Sequence, residues 1–242
     1  MTKEDGKIPI INLSSSGNPG DTIAGLTVAA SFKRANVYLT IGPLMPQKLA
    51  NALIPLVLRQ PYINECKIFD GTTKIDLNLD DFRGISSLKY DFLHSVQLGK
   101  FHRYWNLANP WITNIEPIYV NDIVLNRTTR YHGEMDYYSL CKKYEGRVTF
   151  LGFKDEHESF CKLFHVDIPR HETPTFLDVA QVIKGSKLYV GNQSSCWWVA
   201  EGMKHPRLVE VCEVVPNSMP IGIDGHCDWE DDYFDLIEGY LK

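Results

Sequence analysis

One stretch, residues 187–206, constrains the fold more than any other. It begins with an apolar, strand-forming run at Leu188–Val190 and then turns through a small polar cluster, Gly191–Ser195. An apolar segment with helical character follows, before another strand-like run at 207–212. Strand, glycine-serine turn, helix and strand in this order predict a parallel βαβ unit, with the turn at the ligand-binding end of the sheet.

The turn at Gly191–Ser195 has two interpretations. Free backbone N–H groups in such a turn, together with the dipole of the helix that follows, form a site for a phosphate. The same pattern also occurs in ordinary strand-to-helix turns of α/β domains that bind nothing. The stretch by itself does not decide between the two.

The same order of elements runs through both halves of the chain. Strands are predicted at 8–13, 36–41, 66–69, 75–79, 122–126, 148–151, 187–191 and 207–212. Helices are predicted at 22–32, 46–59, 88–98, 134–144, 154–164, 176–184, 195–204 and 229–241. We therefore predict an α/β fold of two Rossmann-like domains that face each other across a cleft, in a compact version.

The connector that ends at Pro117 marks the predicted domain boundary. It divides the chain into an N-terminal acceptor domain, 1–117, and a C-terminal donor domain, 118–242. The closing helix within 229–241 is free to pack back on the first domain.

Composition excludes several classes of protein. The 242 residues are 44% hydrophobic and 23% charged, which is typical of a soluble globular chain. A net charge of −5 disfavours a general nucleic-acid coat. No apolar run approaches the roughly 20 residues of a membrane helix. The polar N-terminus does not match a signal peptide, and the six scattered cysteines indicate reduced thiols and no metal site, so a cytoplasmic location is expected.

Polar turns follow three of the predicted strands, at Ser14–Asp21, Arg127–Gly133 and Gly191–Ser195. Ligands of parallel sheets bind beyond the carboxyl ends of the strands, so we expect these turns to meet in the cleft. The motifs of dinucleotide-binding dehydrogenases, P-loop NTPases, zinc proteases and α/β-hydrolases are absent from the sequence.

Asp21 stands at the mouth of the first predicted sheet. A carboxylate there can accept a proton from a hydroxyl nucleophile, as a general base does. The alternative is a plain helix N-cap. The small residues around it are candidates for acceptor or loop contacts: Ser16, Gly17, Asn18 and Gly20.

The run Arg127-Thr128-Thr129-Arg130 follows the first strand of the second half. Two arginines offer bidentate, charge-assisted hydrogen bonds and two threonines offer hydroxyl donors, a combination that suits a diphosphate. The alternative is a solvated charged loop.

Taken in order, three segments resemble a GT-B glycosyltransferase of the heptosyltransferase-like family nine. Residues 14–26 resemble the family's S-x-G-D segment and the apolar helix after it, and Asp21 matches the family's catalytic-base aspartate. Thr128-Thr129-Arg130 resembles the donor-phosphate loop. Residues 182–206 resemble the element in which D-(S/T)-G precedes a helix and a proline.

Three positions depart from that pattern. Gln193-Ser194-Ser195 stands where the family has D-(S/T)-G, and Trp198 replaces a histidine of the following helix. The lysine expected shortly after the Arg-Thr-Thr loop is absent, with His132 and Glu134 in that region.

The resemblance implies a metal-independent, inverting transfer of a sugar from a nucleotide-sugar donor to an acceptor hydroxyl, with Asp21 as base and no cofactor. Glu201 or Glu210 is expected to bind donor hydroxyls. The donor phosphates are expected at Arg127, Thr128, Thr129, Arg130, Asn192, Gln193, Ser194 and Ser195. A glycan or lipid-linked glycan is the favoured acceptor, and modified nucleic acid is also open.

A second hypothesis is a non-catalytic nucleotide-sugar or glycan-binding module that has kept the GT-B-like fold. The missing lysine and histidine favour it. A GT-B-like epimerase is a third class, for which the sequence offers no acid/base pair.

Overall fold

The structure is a computed structural model, and it describes residues 8–85, 92–230 and 232–242. The first half contributes a four-stranded parallel sheet of order β3-β2-β1-β4. Its strands are β1 Ile11–Ser15, β2 Ala35–Leu39, β3 Ile63–Ile68 and β4 Leu77–Asn78. Buried β-branched and leucine side chains on β1 and β2, such as Leu13 and Val37, form its core face.

The second half forms a six-stranded parallel sheet of order β10-β9-β8-β5-β6-β7. Its strands are β5 Ile123–Asn126, β6 Val148–Leu151, β7 Arg170–His171, β8 Leu188–Asn192, β9 Arg207–Glu210 and β10 Gly225–Cys227. The first strand of each half lies beside the fourth, so chain order reverses between β5 and β8 and between β1 and β4. At such switch points the loops diverge and leave room for a ligand.

The predicted α/β layout with two parallel sheets is confirmed. Within the described residues the helices are α1 Pro19–Phe32, α2 Gln47–Leu58, α3 Leu93–Lys100, α4 Tyr137–Lys143, α5 Lys154–Phe164, α6 Phe176–Gly185, α7 Ser195–Met203 and α8 Tyr233–Leu241. A 3₁₀ segment, Leu79–Gly84, follows β4. The predicted helix at 88–98 lies partly outside the described residues, and its described part belongs to α3. Strands β7 and β10 were not predicted, because two or three residues carry no periodic signal.

One apolar core joins the two halves. It includes Leu13 of the first sheet and Val209 of the second, with α1 packed against α7 and α2 against α6. Trp111, in the predicted connector, is fully buried and donates from Nε1 to the Ile23 carbonyl oxygen at 3.0 Å. The sheets divide the chain between β4 and β5, and a boundary at residue 117 stays a prediction.

The closing helix α8 packs on the second half, which corrects the expectation that it could return to the first. Its apolar residues Ile237 and Leu241 join a second core cluster together with Ile123 and Leu140. An ion pair of 2.5 Å between Lys143 and Glu238 adds a surface contact. The apolar face of α8 is therefore covered within the half of the chain that it ends.

Candidate functional site

A cavity of about 800 Å³ opens at the carboxyl ends of the strands. Its lining includes the turns after β1 and β4 of the first sheet and those after β5, β6 and β8 of the second. A volume of this size falls in the range of small-molecule and cofactor sites, roughly 300–1,000 Å³. The three polar turns singled out in the sequence all contribute to it.

Two helix N-termini, one from each half, meet in this cavity. A Cβ added to Gly20 in the first turn of α1 would lie 3.5 Å from Ser195 Cα and 3.0 Å from Trp198 Cδ1 of α7. The absence of a side chain at Gly20 therefore permits the close approach of the two helices. Their dipoles direct partial positive charge to the same part of the cavity, which favours an anion there.

The first turn of α7 has free hydrogen-bond donors. Ser194 is the N-cap: its Oγ accepts from the Trp197 N–H at 3.3 Å and donates to Asn126 Oδ1 at 2.7 Å. The N–H groups of Ser195 and Cys196 have no acceptor among the described residues. Because such groups need a partner, this turn can bind an anionic oxygen.

Asp21 lies in the first turn of α1, where its Oδ2 accepts from the Asn18 N–H at 3.1 Å and from Arg83 Nη2 at 2.5 Å. Burial raises the pKa of the carboxyl above its usual value, and the Arg83 guanidinium opposes that rise. Asn18 is the N-cap, not Asp21, because Pro19 with its fixed φ begins the helix. A buried carboxylate with a raised pKa is a stronger base than an exposed one.

The small residues before Asp21 divide into two groups. Asn18 and Gly20 line the cavity, whereas Ser16 and Gly17 do not. Ser16 instead donates to Asp80 Oδ2 from its N–H at 2.5 Å and from its Oγ at 2.9 Å. Ser16 therefore fixes the turn before Asp21.

The residues of the loop after β5 also fall into two groups, one that lines the cavity and one that does not. Thr128, Thr129 and Arg130 line the cavity, and the Arg130 guanidinium forms no ion pair with any described residue. Arg127 turns away: its Nε lies 3.0 Å from Glu210 Oε2, and its guanidinium lies 5.0 Å from the ring centroid of Phe164. The structure therefore leaves Arg130, not Arg127, available to a diphosphate.

Asn192 shapes this loop from beneath. Its Oδ1 accepts from the Thr128 N–H at 3.0 Å, and its Nδ2 donates to the Arg130 carbonyl oxygen at 2.6 Å. The Asn192 side chain is fully buried and does not line the cavity. It holds the Thr128–Arg130 loop in place and is not itself exposed to a ligand.

Gln193 lines the cavity, but its amide is engaged by the chain after β9. Its Oε1 accepts from the Cys212 N–H at 2.7 Å, and its Nε2 donates to the Val215 carbonyl oxygen at 2.8 Å. Glutamine at this position therefore anchors the segment that carries Ser218, another cavity residue. A carboxylate could not donate the second of these hydrogen bonds.

The structure corrects the expectation that Glu201 or Glu210 binds donor hydroxyls. Glu201 is a fully buried residue of α7 and accepts hydrogen bonds from Lys204 and Arg207. Glu210 is also fully buried and pairs with Arg127, while the Tyr137 hydroxyl donates to its Oε2 at 3.0 Å. Neither carboxylate lines the cavity.

Glu156 is a cavity carboxylate that the sequence interpretation missed. It lies in the first turn of α5, its Oε2 accepts from the Phe153 N–H at 3.0 Å, and burial raises its pKa. A carboxylate a few residues after the end of a strand, with Gly152 between them, was the available signal. Arg83 was missed as well, because the 3₁₀ segment that carries it has no helical periodicity.

In the part of the chain that the structure describes, no group of three or more His, Cys, Asp or Glu side chains is arranged to hold a metal ion. No helix among residues 8–85, 92–230 and 232–242 has both the length and the hydropathy to span a bilayer. All six cysteines are free.

No protein-family model matches this sequence, and no curated protein sequence does. Solved structures do match. The E. coli heptosyltransferase WaaC with ADP aligns with a TM-score of 0.65 at 8% identity, covering 96% of this chain and 99% of that one. A glycosyl transferase family 9 protein from Veillonella parvula aligns with a TM-score of 0.59 at 9% identity, covering 96% and 89%.

A third match is the dodecameric iron-containing heptosyltransferase TibC in complex with ADP-D-β-D-heptose. It has a TM-score of 0.55 at 12% identity and covers 89% of this chain and 61% of that one. The fold of this protein is thus similar to that of the family 9 heptosyltransferases, as the resemblance of its sequence predicted.

Proposed function

We propose that this protein is a glycosyltransferase, which moves a sugar from a nucleotide-sugar donor to an acceptor hydroxyl in the cavity between its two sheets. The proposal rests above all on one observation: the N-termini of α1 and α7 meet at Gly20 and Ser195, with the carboxylate of Asp21 beside them. A site for a diphosphate thus adjoins a base for a hydroxyl. The fold similarity to heptosyltransferases supports the same conclusion.

In this proposal the two halves act as the two domains of a GT-B cleft. The donor diphosphate lies at the first turn of α7, bound by the N–H groups of Ser195 and Cys196, with Thr128 and Arg130 on its other side. Glu156 accepts hydrogen bonds from hydroxyls of the donor, the role first expected of Glu201 or Glu210. The acceptor enters from the side of Asp21.

The reaction is a direct displacement at the anomeric carbon. Asp21 takes the proton from the acceptor hydroxyl as its oxygen forms the new bond to that carbon. The bond to the donor diphosphate breaks, and the diphosphate leaves with the electron pair. Attack from the opposite face inverts the configuration. The positive ends of α1 and α7 and the Arg130 guanidinium stabilise the negative charge on the leaving group without a metal.

Two of the similar structures are heptosyltransferases with bound ADP and ADP-D-β-D-heptose, so ADP-sugars are the first donors to test. Calorimetric titration with a panel of nucleoside diphosphates and nucleotide sugars should show one-site binding. Incubation of the bound donors with hydroxyl acceptors should then release nucleoside diphosphate. Binding without release across the panel would indicate a binding module and overturn the proposed transfer. Absence of binding would overturn the donor site itself.

A further inference from the structure

Three charged side chains surround Gly17 at the switch point of the first sheet. A Cβ added to Gly17 would lie 2.5 Å from Arg83 Nη2, 2.6 Å from Asp80 Oδ1 and 3.0 Å from Asp21 Oδ2. Any other residue at position 17 would therefore collide with this group. The arrangement depends on the glycine, although Gly17 itself does not line the cavity.

Arg83 is held in place from two sides. Its Nε lies 3.6 Å from Asp80 Oδ1, and its guanidinium carbon lies 5.2 Å from the ring centroid of Phe82. Asp80 is in turn fixed by the N–H and hydroxyl of Ser16. Only 9% of the Asp80 side chain is exposed, against 39% for Arg83, so the tether is buried and the guanidinium reaches the cavity.

The contacts of Asp21 fall on one of its two oxygens. Both Arg83 and the Asn18 N–H donate to Oδ2, while Oδ1 accepts no hydrogen bond from any described residue. Gln97 fixes the backbone from the other side, donating from Nε2 to the Asp21 carbonyl oxygen at 2.9 Å. With Oδ2 occupied, Oδ1 is the oxygen left to accept a proton.

We propose that Arg83, tethered by Asp80, is a positioning residue that turns Oδ1 of Asp21 toward the acceptor hydroxyl and keeps the carboxylate ionised. This inference rests on the proposed function. Arg83 has no contact with the reacting atoms in this scheme. It acts on the base alone, and the donor site around Ser195 and Arg130 is independent of it.

The charged groups around Asp21, together with its burial, determine the pKa of its carboxyl group. The elements packed against α1 carry charged or titratable groups, which are listed here by element: Asp80, Asp81 and Arg83 of the 3₁₀ segment, Lys48 of α2, His94 and Lys100 of α3, Tyr38 of β2, and Cys196 and Glu201 of α7 with Lys204 at its C-cap. Burial raises the pKa of Asp21 most, Arg83 lowers it, and Asp80 raises it slightly. Loss of Arg83 should therefore leave burial opposed only by the Asn18 N–H hydrogen bond and move the ionisation of Asp21 to higher pH.

The test uses Arg83→Gln, Arg83→Lys and, as a matched control, Arg59→Gln at an exposed arginine that pairs with Glu116 outside the cavity. Carboxyl-¹³C NMR of aspartate-labelled protein follows the titration of Asp21, whose signal is identified by its loss in Asp21→Asn. The Asp21 midpoint should rise in Arg83→Gln, stay near the wild-type value in Arg83→Lys, and remain unchanged in Arg59→Gln. An unchanged midpoint in folded Arg83→Gln overturns the inference.

Kinetics separate this inference from the proposed function. The acid limb of kcat/KM should move to higher pH in Arg83→Gln, with kcat/KM about tenfold lower on that limb and donor affinity preserved. If Asp21→Asn retains full turnover, the proposed function fails. If Asp21→Asn is inactive and the acid limb of Arg83→Gln matches wild type, only the role of Arg83 fails.

Discussion

Glu201 and Glu210 lie behind the wall of the cavity, whereas Asp21 and Glu156 line it. The first two are fully buried and matched by cations, Arg207 and Lys204 in one case and Arg127 in the other. The cavity carboxylates have raised pKa values because burial is not fully offset there. Buried ion pairs hold the wall together, and incompletely compensated carboxylates beside open space remain available for chemistry.

The largest effect that separates the two regions is expected at Glu201. Glu201→Ala leaves the fully buried Arg207 guanidinium without its carboxylate, and an uncompensated buried charge costs about 3–5 kcal/mol of unfolding free energy. Urea titration followed by circular dichroism measures the loss. Glu158→Ala, at an exposed helix residue whose one ion pair among the described residues is with Lys154, should change stability by less than about 1 kcal/mol. Equal losses of unfolding free energy in Glu201→Ala and Glu158→Ala would contradict the stabilising role given to the buried ion pair of Glu201.

The two arginines of the loop after β5 provide the next test. Arg130→Gln removes a charged donor from the cavity and should weaken nucleoside diphosphate binding by about 1.5–3 kcal/mol, with stability nearly unchanged. Arg127→Gln should instead lower the unfolding free energy, because Glu210 loses its partner. Calorimetry and thermal melts of both variants measure the two effects. The reverse pattern would place the diphosphate at Arg127.

A smaller effect is expected at Glu156. Glu156→Gln keeps the acceptor oxygen but removes its charge, and should weaken nucleotide-sugar binding by about 1 kcal/mol, or roughly fivefold. Glu158→Gln is the control on the same helix, since its side chain is exposed outside the cavity. Unchanged affinity in Glu156→Gln would return this carboxylate to a purely helix-capping role.

Asp228 is a partly buried carboxylate whose pKa is raised by burial, with no cation among the causes of the shift. Burial, with Glu210 and Glu213 nearby, raises its pKa from 3.8 to about 6. The native state therefore holds this proton more tightly than the unfolded chain does. The stability that the bound proton contributes is fully present below pH 3.8 and is lost as the pH rises through about 6. Asp228→Asn should raise the unfolding free energy by about 1 kcal/mol at pH 8, after allowance for solvent screening.

The gain in Asp228→Asn should shrink as the pH falls below 6 and vanish about one pH unit below 3.8, where Asp228 is protonated in both the folded and the unfolded wild-type chain. Thermal melts across this range measure it, with the exposed Asp167→Asn as control. A gain that is independent of pH would mean that repacking, and not ionisation, stabilises the variant.

Much of this arrangement could be predicted from local sequence. Strand, polar turn and helix recur, and parallel strands place their carboxyl ends at one edge, so Asp21, Thr128–Arg130 and Ser194–Ser195 were expected to meet. The pairing of charges could not be predicted. Glu210 meets Arg127 from 83 residues away, and Arg83 reaches Asp21 across 62. Such pairs depend on the packing of distant elements, which no local pattern encodes.

Turnover of Asp21→Asn decides whether this cavity is an active site. The substitution keeps the size of the side chain and an oxygen for the Asn18 N–H, but removes the base. Release of nucleoside diphosphate in the presence of donor and acceptor should fall by about 10²–10⁴-fold, while calorimetric affinity for the donor stays within twofold of wild type. Wild-type turnover in the folded variant would show that Asp21 is not the base.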